Sequence, residues 1–195
     1  MDDDSNRLFV AIPLDDAVRK SMRRIDWWVD HLDRFRKVPP KNRHVTVAFI
    51  GDVPSRAIER ITGALDGCLA GWPAFVMPVR TIVPMPSERR QRALAVELDA
   101  TTGFYELAIA VRTALETTPA RDRILAESDR EPRPHITVAR KKRTGGSSRV
   151  DVSSAPPLDG AIPCHRVELI RSELTAQGPI YTPLADWTLR GQGDC

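Results

Sequence analysis

A five-residue pattern occurs twice in this chain of 195 residues. His44-Val45-Thr46-Val47-Ala48 returns 91 residues later, almost letter for letter, as His135-Ile136-Thr137-Val138-Ala139. Both copies read as β-strands, on which side chains alternate between faces. Each His therefore shares a face with its Thr, while the aliphatic residues between them turn to the core. A single H-x-T carries little information, because any half-exposed strand can hold the pair by accident. Two copies in one context, at about half the chain length, point instead to two related lobes. Facing lobes would bring two imidazoles and two hydroxyls around one centre. Two histidines, each with an ordinary pKa near 6.5, can divide acid and base duty at neutral pH. One takes a proton from an attacking water or hydroxyl, and the other gives a proton to the leaving oxygen. Threonine hydroxyls can hold oxygens on which charge builds. In-line displacement at a phosphodiester needs that set and requires no metal. Two His with remote carboxylates could also hold zinc, an alternative that the spacing leaves open.

The elements that must position these residues alternate between strand and helix. Residues 7–13 read as a short buried strand stopped by proline. Asp15 or Asp16 caps a helix to about Leu32, with Val18, Met22, Ile25, Val29 and Leu32 in one apolar stripe. A strand at 44–50 is closed by Gly51-Asp52 and followed by a helix over 54–69. Strands are expected at 75–83 and 93–98, with a Pro- and Arg-rich loop between them, and a second long helix at 101–116. After a strand at 134–140 comes a polar linker, 141–154. Two closing strands, 166–173 and 180–189, are joined by a turn at Gln177-Gly178-Pro179. With few long crossovers, the mixture is α+β rather than a doubly wound parallel sheet.

The charge is small in total and uneven in position. Twenty-nine Lys plus Arg against 26 Asp plus Glu leave +3, too little to announce a nucleic-acid binder. Residues 34–51 nevertheless hold Arg34, Arg36, Lys37, Lys41 and Arg43 with no acid, and 132–150 hold Arg133, Arg140, Lys141, Lys142, Arg143 and Arg149 with none. Facing lobes would gather that charge at their cleft, where it would attract a phosphate chain. Cys68, Cys164 and Cys195 are odd in number and far apart. This argues against a disulfide framework or zinc knuckle and fits a cytoplasmic protein. No apolar run is long enough to span a membrane. Neither a P-loop nor the K-x-D-G of an adenylating ligase is present. His31 and His165 read as structural or surface residues. Trp27, Trp28, Trp72 and Trp187 read as core or packing residues.

The paired H-x-T-x motifs resemble the mark of the 2H phosphoesterase superfamily. Within it the chain is similar to the bacterial and archaeal RNA 2′,3′-cyclic phosphodiesterases, historically called 2′-5′ RNA ligases. Arg7-Leu8-Phe9-Val10-Ala11-Ile12-Pro13 resembles that family's opening strand, and Pro39-Pro40 precedes the first motif as it does there. Arg133-Pro134-His135-Ile136-Thr137-Val138-Ala139-Arg140 resembles the second motif. Arg171-Ser172-Glu173-Leu174 followed by Gly178-Pro179-Ile180-Tyr181-Thr182-Pro183-Leu184 resembles the closing hairpin. Val47 and Val138 stand where Leu is more usual, and the polar stretch 145–157 departs from the pattern.

The resemblance implies a single bilobal domain of antiparallel sheet with outer helices around a V-shaped cleft, and loose tails at 1–6 and 191–195. It implies that a terminal 2′,3′-cyclic phosphate on RNA is opened to a 2′-phosphate. His44 would be the proton donor and His135 the proton acceptor, with Thr46, Thr137 and Arg140 on the phosphate. Simple alternation turns Arg140 away from His135 and Thr137, so its participation requires a β-bulge. Phe49 and Tyr181 are candidates for stacking bases, and Arg133 for touching RNA. Arg89, Arg90 and Arg92 form a basic loop that could meet RNA phosphates. The implied partners are RNA ends or nucleotides carrying the cyclic phosphate. No cofactor, metal or obligate protein partner is expected, and the chain is expected to be a monomer. Two alternatives stay open: ATP-independent 2′-5′ ligation at the same site run in reverse, and a module that binds RNA ends without turnover.

Overall fold

The two H-x-T strands lie side by side in the middle of one sheet. In the computed structural model, which describes residues 5–127, 131–142, 149–176 and 178–191, nine strands and five helices follow one another. They are β1 (Ser5–Pro13), α1 (Asp16–Ser21), α2 (Arg23–Asp30), β2 (Phe35–Lys37), β3 (His44–Pro54), α3 (Ile58–Leu69), β4 (Phe75–Ser87) and β5 (Arg90–Leu98). There follow α4 (Thr102–Glu116), α5 (Arg121–Glu127), β6 (His135–Lys141), β7 (Ala161–Cys164), β8 (Arg166–Thr175) and β9 (Gly178–Thr188). The strand order is β7-β4-β5-β6-β3-β1-β8-β9, with β2 pairing β6 beyond the end of its contact with β3. The expected lobes are thus two four-stranded halves of an antiparallel sheet, and the fold is α+β. They join at β3 and β6, which share the single register pair Val45↔Ile136.

The halves repeat each other in register. β1 covers the first motif, with Pro13 opposite His44, Ile12 opposite Val45 and Ala11 opposite Thr46. β5 covers the second, with Glu97 opposite His135, Val96 opposite Ile136 and Ala95 opposite Thr137. In each half the ladder then skips one residue of the motif strand. Val10 pairs Ala48 and Leu94 pairs Ala139, so Val47 and Val138 are bulged at equivalent places. Both Val–Ala pairs are accordingly buried consecutively rather than alternately. The carbonyl of Val138 is taken up by the backbone N–H of Val38 at 2.8 Å, which leads the chain away from β2.

The apolar face of the sheet and the buried stripes of the helices form one core. Val45, Val47, Ile136 and Val138 meet Ile25, Ile61, Leu65, Phe104, Leu107 and Val111 there. Each fully buried aliphatic or aromatic side chain of this kind contributes roughly 1.5–3 kcal/mol of transfer free energy. On the other face a small cluster of Phe9, Ala11 and Ile170, with Phe49 and Tyr181 against it, backs the first motif.

Several elements differ from expectation. The single helix to Leu32 is two, α1 and α2, broken at Met22. Asp15 caps α1 by accepting from the Val18 N–H at 2.7 Å. The Ser21 hydroxyl then donates back to the Val18 carbonyl at 2.8 Å, the local competition that bends helices. Gly51-Asp52 does not close the second strand, and pairing with β1 continues to Pro54↔Ser5. Gly51 takes φ +81°, and a Cβ there would meet the Arg123 guanidinium at 3.1 Å. The Pro- and Arg-rich loop is mostly strand. Pro84 and Pro86 pair Leu94 and Gln91 where β4, past its short pairing with β7, is an edge that tolerates missing donors. Ser5 and Asn6 belong to β1 rather than to a loose head, and Asn6 is buried. Residues 1–4, 143–148, Gln177 and 192–195, on which parts of the expected tails, linker and turn fall, lie outside the described residues.

Candidate active site

Both histidines are held the same way, by a carbonyl two residues upstream. His44 Nδ1 lies 2.9 Å from the Asn42 carbonyl, and His135 Nδ1 lies 2.8 Å from the Arg133 carbonyl. A carbonyl only accepts, so Nδ1 carries the proton in each neutral ring and Nε2 keeps its lone pair for whatever lies in front. Both rings, with Thr46 and Thr137, line one cavity of about 900 Å³. The four repeated residues are therefore brought together, as the pattern required.

The bulges complete the set. A skipped residue shifts the alternation by one, so Arg140 returns to the face of His135 and Thr137 and lines the same cavity. Phe49, its counterpart on β3, also returns to that face, but its ring goes into the small cluster with Phe9 and Ile170. There it carries the Arg7 guanidinium 5.1 Å from its centroid, and it does not line the cavity. Tyr181 does line it, edge-on to His44 at 5.4 Å. Arg133 turns outward instead. Its Nε donates to Glu97 Oε1 at 2.9 Å, leaving only its backbone carbonyl to serve His135.

The two histidines differ in what surrounds them. Phe9 lies 4.8 Å from the His44 ring on one side and Tyr181 closes another. This burial, with Arg140 and His135 adding like charge, lowers the His44 pKa from 6.5 to about 4, although the Asn42 hydrogen bond works the other way. Among the described residues no aromatic ring packs on His135, which is half-buried beside the Glu97–Arg133 pair. The loop that orients His44 is itself pinned. The Arg43 side chain is fully buried, pairs with Asp26 of α2 and donates from Nε to the Val38 carbonyl at 3.2 Å. Asn42 Nδ2 reaches across to the Pro179 carbonyl of β9 at 3.0 Å, tying the closing hairpin to the loop that orients His44.

Arg36, Lys37, Lys41, Arg92 and Arg140 line the cavity, Lys37 with its ammonium paired to Asp30, and no carboxylate among the described residues lines it. Among the described residues no group of three or more His, Cys, Asp or Glu could hold a metal ion. What the arrangement can do is bind a phosphate anion between two threonines and transfer protons on either side of it.

A family model described as the 2′-5′ RNA ligase superfamily matches residues 14–176. The chain belongs to that superfamily. It is 30% identical over 190 residues to an RNA 2′,3′-cyclic phosphodiesterase of Thermus thermophilus, covering 95% of this chain and 91% of that one. The crystal structure of TT0787, also of Thermus thermophilus, superposes with a TM-score of 0.81 at 26% identity, over 95% of this chain and 99% of the other. E. coli LigT complexed with NADP+ superposes with a TM-score of 0.69, also at 26% identity, over 95% and 99%.

Beyond the superfamily motifs, the sequence marks Arg36, Lys37 and Lys41 only as part of a basic run, and it carries no sign that Asn42 orients His44. The run is the available signal, but it does not separate Arg36 and Lys41 from Lys37, Arg43 and Arg133, which pair with carboxylates. Of the basic loop, Arg92 alone reaches the cavity. Trp28 is buried and Trp187 packs with its indole N–H donating to Asp66 at 2.7 Å. Trp27, expected in a core or packing role, is 68% exposed and lies against His31 at 4.3 Å. His165 is exposed, as expected of a surface residue.

Proposed function

We propose that the chain is an RNA 2′,3′-cyclic phosphodiesterase that opens a terminal cyclic phosphate to a 2′-phosphate without a metal. The observation that carries this reading is the convergence of two His–Thr pairs on one cavity lined by five cations and, among the described residues, no carboxylate. The name borne by the Thermus thermophilus relative supports it. Water attacks phosphorus in line with the 3′ oxygen while His135 Nε2 accepts the proton of that water. The phosphorus–O3′ bond breaks and its electron pair stays on O3′, which takes a proton from His44 Nε2. Thr46, Thr137 and Arg140 hold the non-bridging oxygens as charge gathers on them. The product is a 2′-phosphomonoester beside a free 3′-hydroxyl, and the two imidazoles reset by exchanging protons with solvent.

As donor, His44, a ring held near pKa 4, must gain its proton on binding, and an anionic phosphodiester against Nε2 shifts the equilibrium in that direction. The assignment is tested with leaving groups. His44→Ala and His135→Ala each lower hydrolysis of a cyclic-phosphate oligonucleotide by about 10²–10⁴-fold, and chelators change nothing. A p-nitrophenyl phosphodiester, whose leaving group needs no protonation, recovers most of its rate with His44→Ala but not with His135→Ala. Recovery in the other variant would reverse the two roles, and near-normal rates in both would end the reading.

A further inference from the structure

Beyond the catalytic constellation, the cavity contains cations that a single phosphate does not explain. Arg36 of β2 stands directly opposite Arg140 of β6. Arg140 in turn stands opposite Ala93 of β5, the neighbour of Arg92. Three guanidiniums thus line one wall across three adjacent strands, and like charges placed directly opposite each other destabilise a sheet. Neighbouring cations of the same two basic runs are neutralised: Lys37, at the cavity, pairs with Asp30, Arg43 with Asp26 and Arg133 with Glu97. Among the described residues no carboxylate pairs with Arg36, Arg92 or Arg140.

A row of mutually repelling arginines, without carboxylate partners among the described residues, is a site built for more than one anion. The cyclic phosphate of the proposed reaction is a monoanion, and Arg140 with two threonines is sufficient for it. Strands lie about 4.8 Å apart, so Arg36, one strand further out on a long side chain, addresses a second anion next to the first. The only other phosphate on the terminal nucleotide of an RNA is the phosphodiester at its 5′ side. We infer that Arg36 binds this penultimate phosphodiester, so that the site selects the end of a polynucleotide over a free cyclic mononucleotide. The inference rests on the phosphodiesterase reading and adds a specificity-determining residue to it.

The test compares wild type, Arg36→Ala and Arg36→Lys on adenosine 2′,3′-cyclic phosphate and on a trinucleotide with the same terminus. Wild type is expected to favour the trinucleotide in kcat/KM. Arg36→Ala lowers kcat/KM on the trinucleotide about tenfold, the scale of one charge-assisted hydrogen bond. This loss is taken mainly in KM, and the loss on the mononucleotide is several-fold smaller. Arg36→Lys restores part of it. The salt dependence of KM for the trinucleotide flattens by about 0.7 in log–log slope, one phosphate contact on a single strand. Arg36→Ala also melts no lower than wild type, because it relieves repulsion, an outcome a structural arginine would not give. Equal losses on both substrates, or a wild type indifferent to length, would overturn the inference and leave the phosphodiesterase intact. A wild type that hydrolyses neither substrate would instead overturn the phosphodiesterase reading.

Discussion

Two histidines in the same motif, on paired strands, held through the same ring nitrogen, do not have the same surroundings. Opposite His44 the neighbouring strand offers Pro13, and aromatic rings close the ring in; opposite His135 it offers Glu97. The His–Thr pairs themselves were legible from the repeat, because residue type and spacing are properties of sequence. Their asymmetry was not, because Phe9 and Tyr181 come from β1 and β9, which meet His44 only once the sheet forms. The asymmetry has a thermodynamic consequence. Between about pH 6.5 and 4 the unfolded chain binds a proton at His44 that the folded chain refuses, so stability contributed by this ring falls as pH falls through that window. Two and a half pKa units correspond to about 3 kcal/mol. Urea melts at pH 7 and pH 4 should show the stability difference between wild type and His44→Gln shrinking by about that amount on acidification. A difference that does not move with pH would mean that the ring is not held in its neutral form.

At the scale of elements, strands carrying strong alternation were legible and irregularities were not. A bulge leaves no compositional trace: Val47 and Val138 read as ordinary core valines, yet their missing partners turn Arg140 into the cavity. β2 has three residues, too few for any period to show, and it is the element that presents Arg36. The break between α1 and α2 falls beside one hydroxyl that bonds back to the Val18 carbonyl, and the prolines of β4 masked a strand that is an edge where they occur. The buried Arg43–Asp26 pair connects α2 to the loop that orients His44. Removing one partner of a buried pair leaves an uncompensated charge and costs about 3–5 kcal/mol. Asp26→Asn is expected to lower the unfolding free energy by about that much in denaturant titration. A loss below about 1 kcal/mol, the range of a solvent-exposed pair, would mean that water solvates Arg43 and that the pair does not anchor that loop.

Across the whole molecule, a net charge of +3 conceals a division of labour. Cations around the first motif split between the cavity, as with Arg36 and Lys41, and structural pairs, as with Arg43. Around the second, Arg140 faces the cavity and Arg133 does not. The sequence shows where positive charge is dense, but only the fold shows which of it is neutralised. The two motif strands share the register pair Val45↔Ile136 where the halves of the sheet join, and both histidines line one cavity there. In the proposed reaction this junction opens a cyclic phosphate at the 3′ oxygen, and the product records which bond broke. The decisive measurement is ³¹P NMR of a short RNA ending in a 2′,3′-cyclic phosphate, incubated with the protein. Conversion of the cyclic signal to a 2′-phosphomonoester alone is the expected result. A 3′-phosphomonoester, or a cyclic signal that persists unchanged, would contradict it.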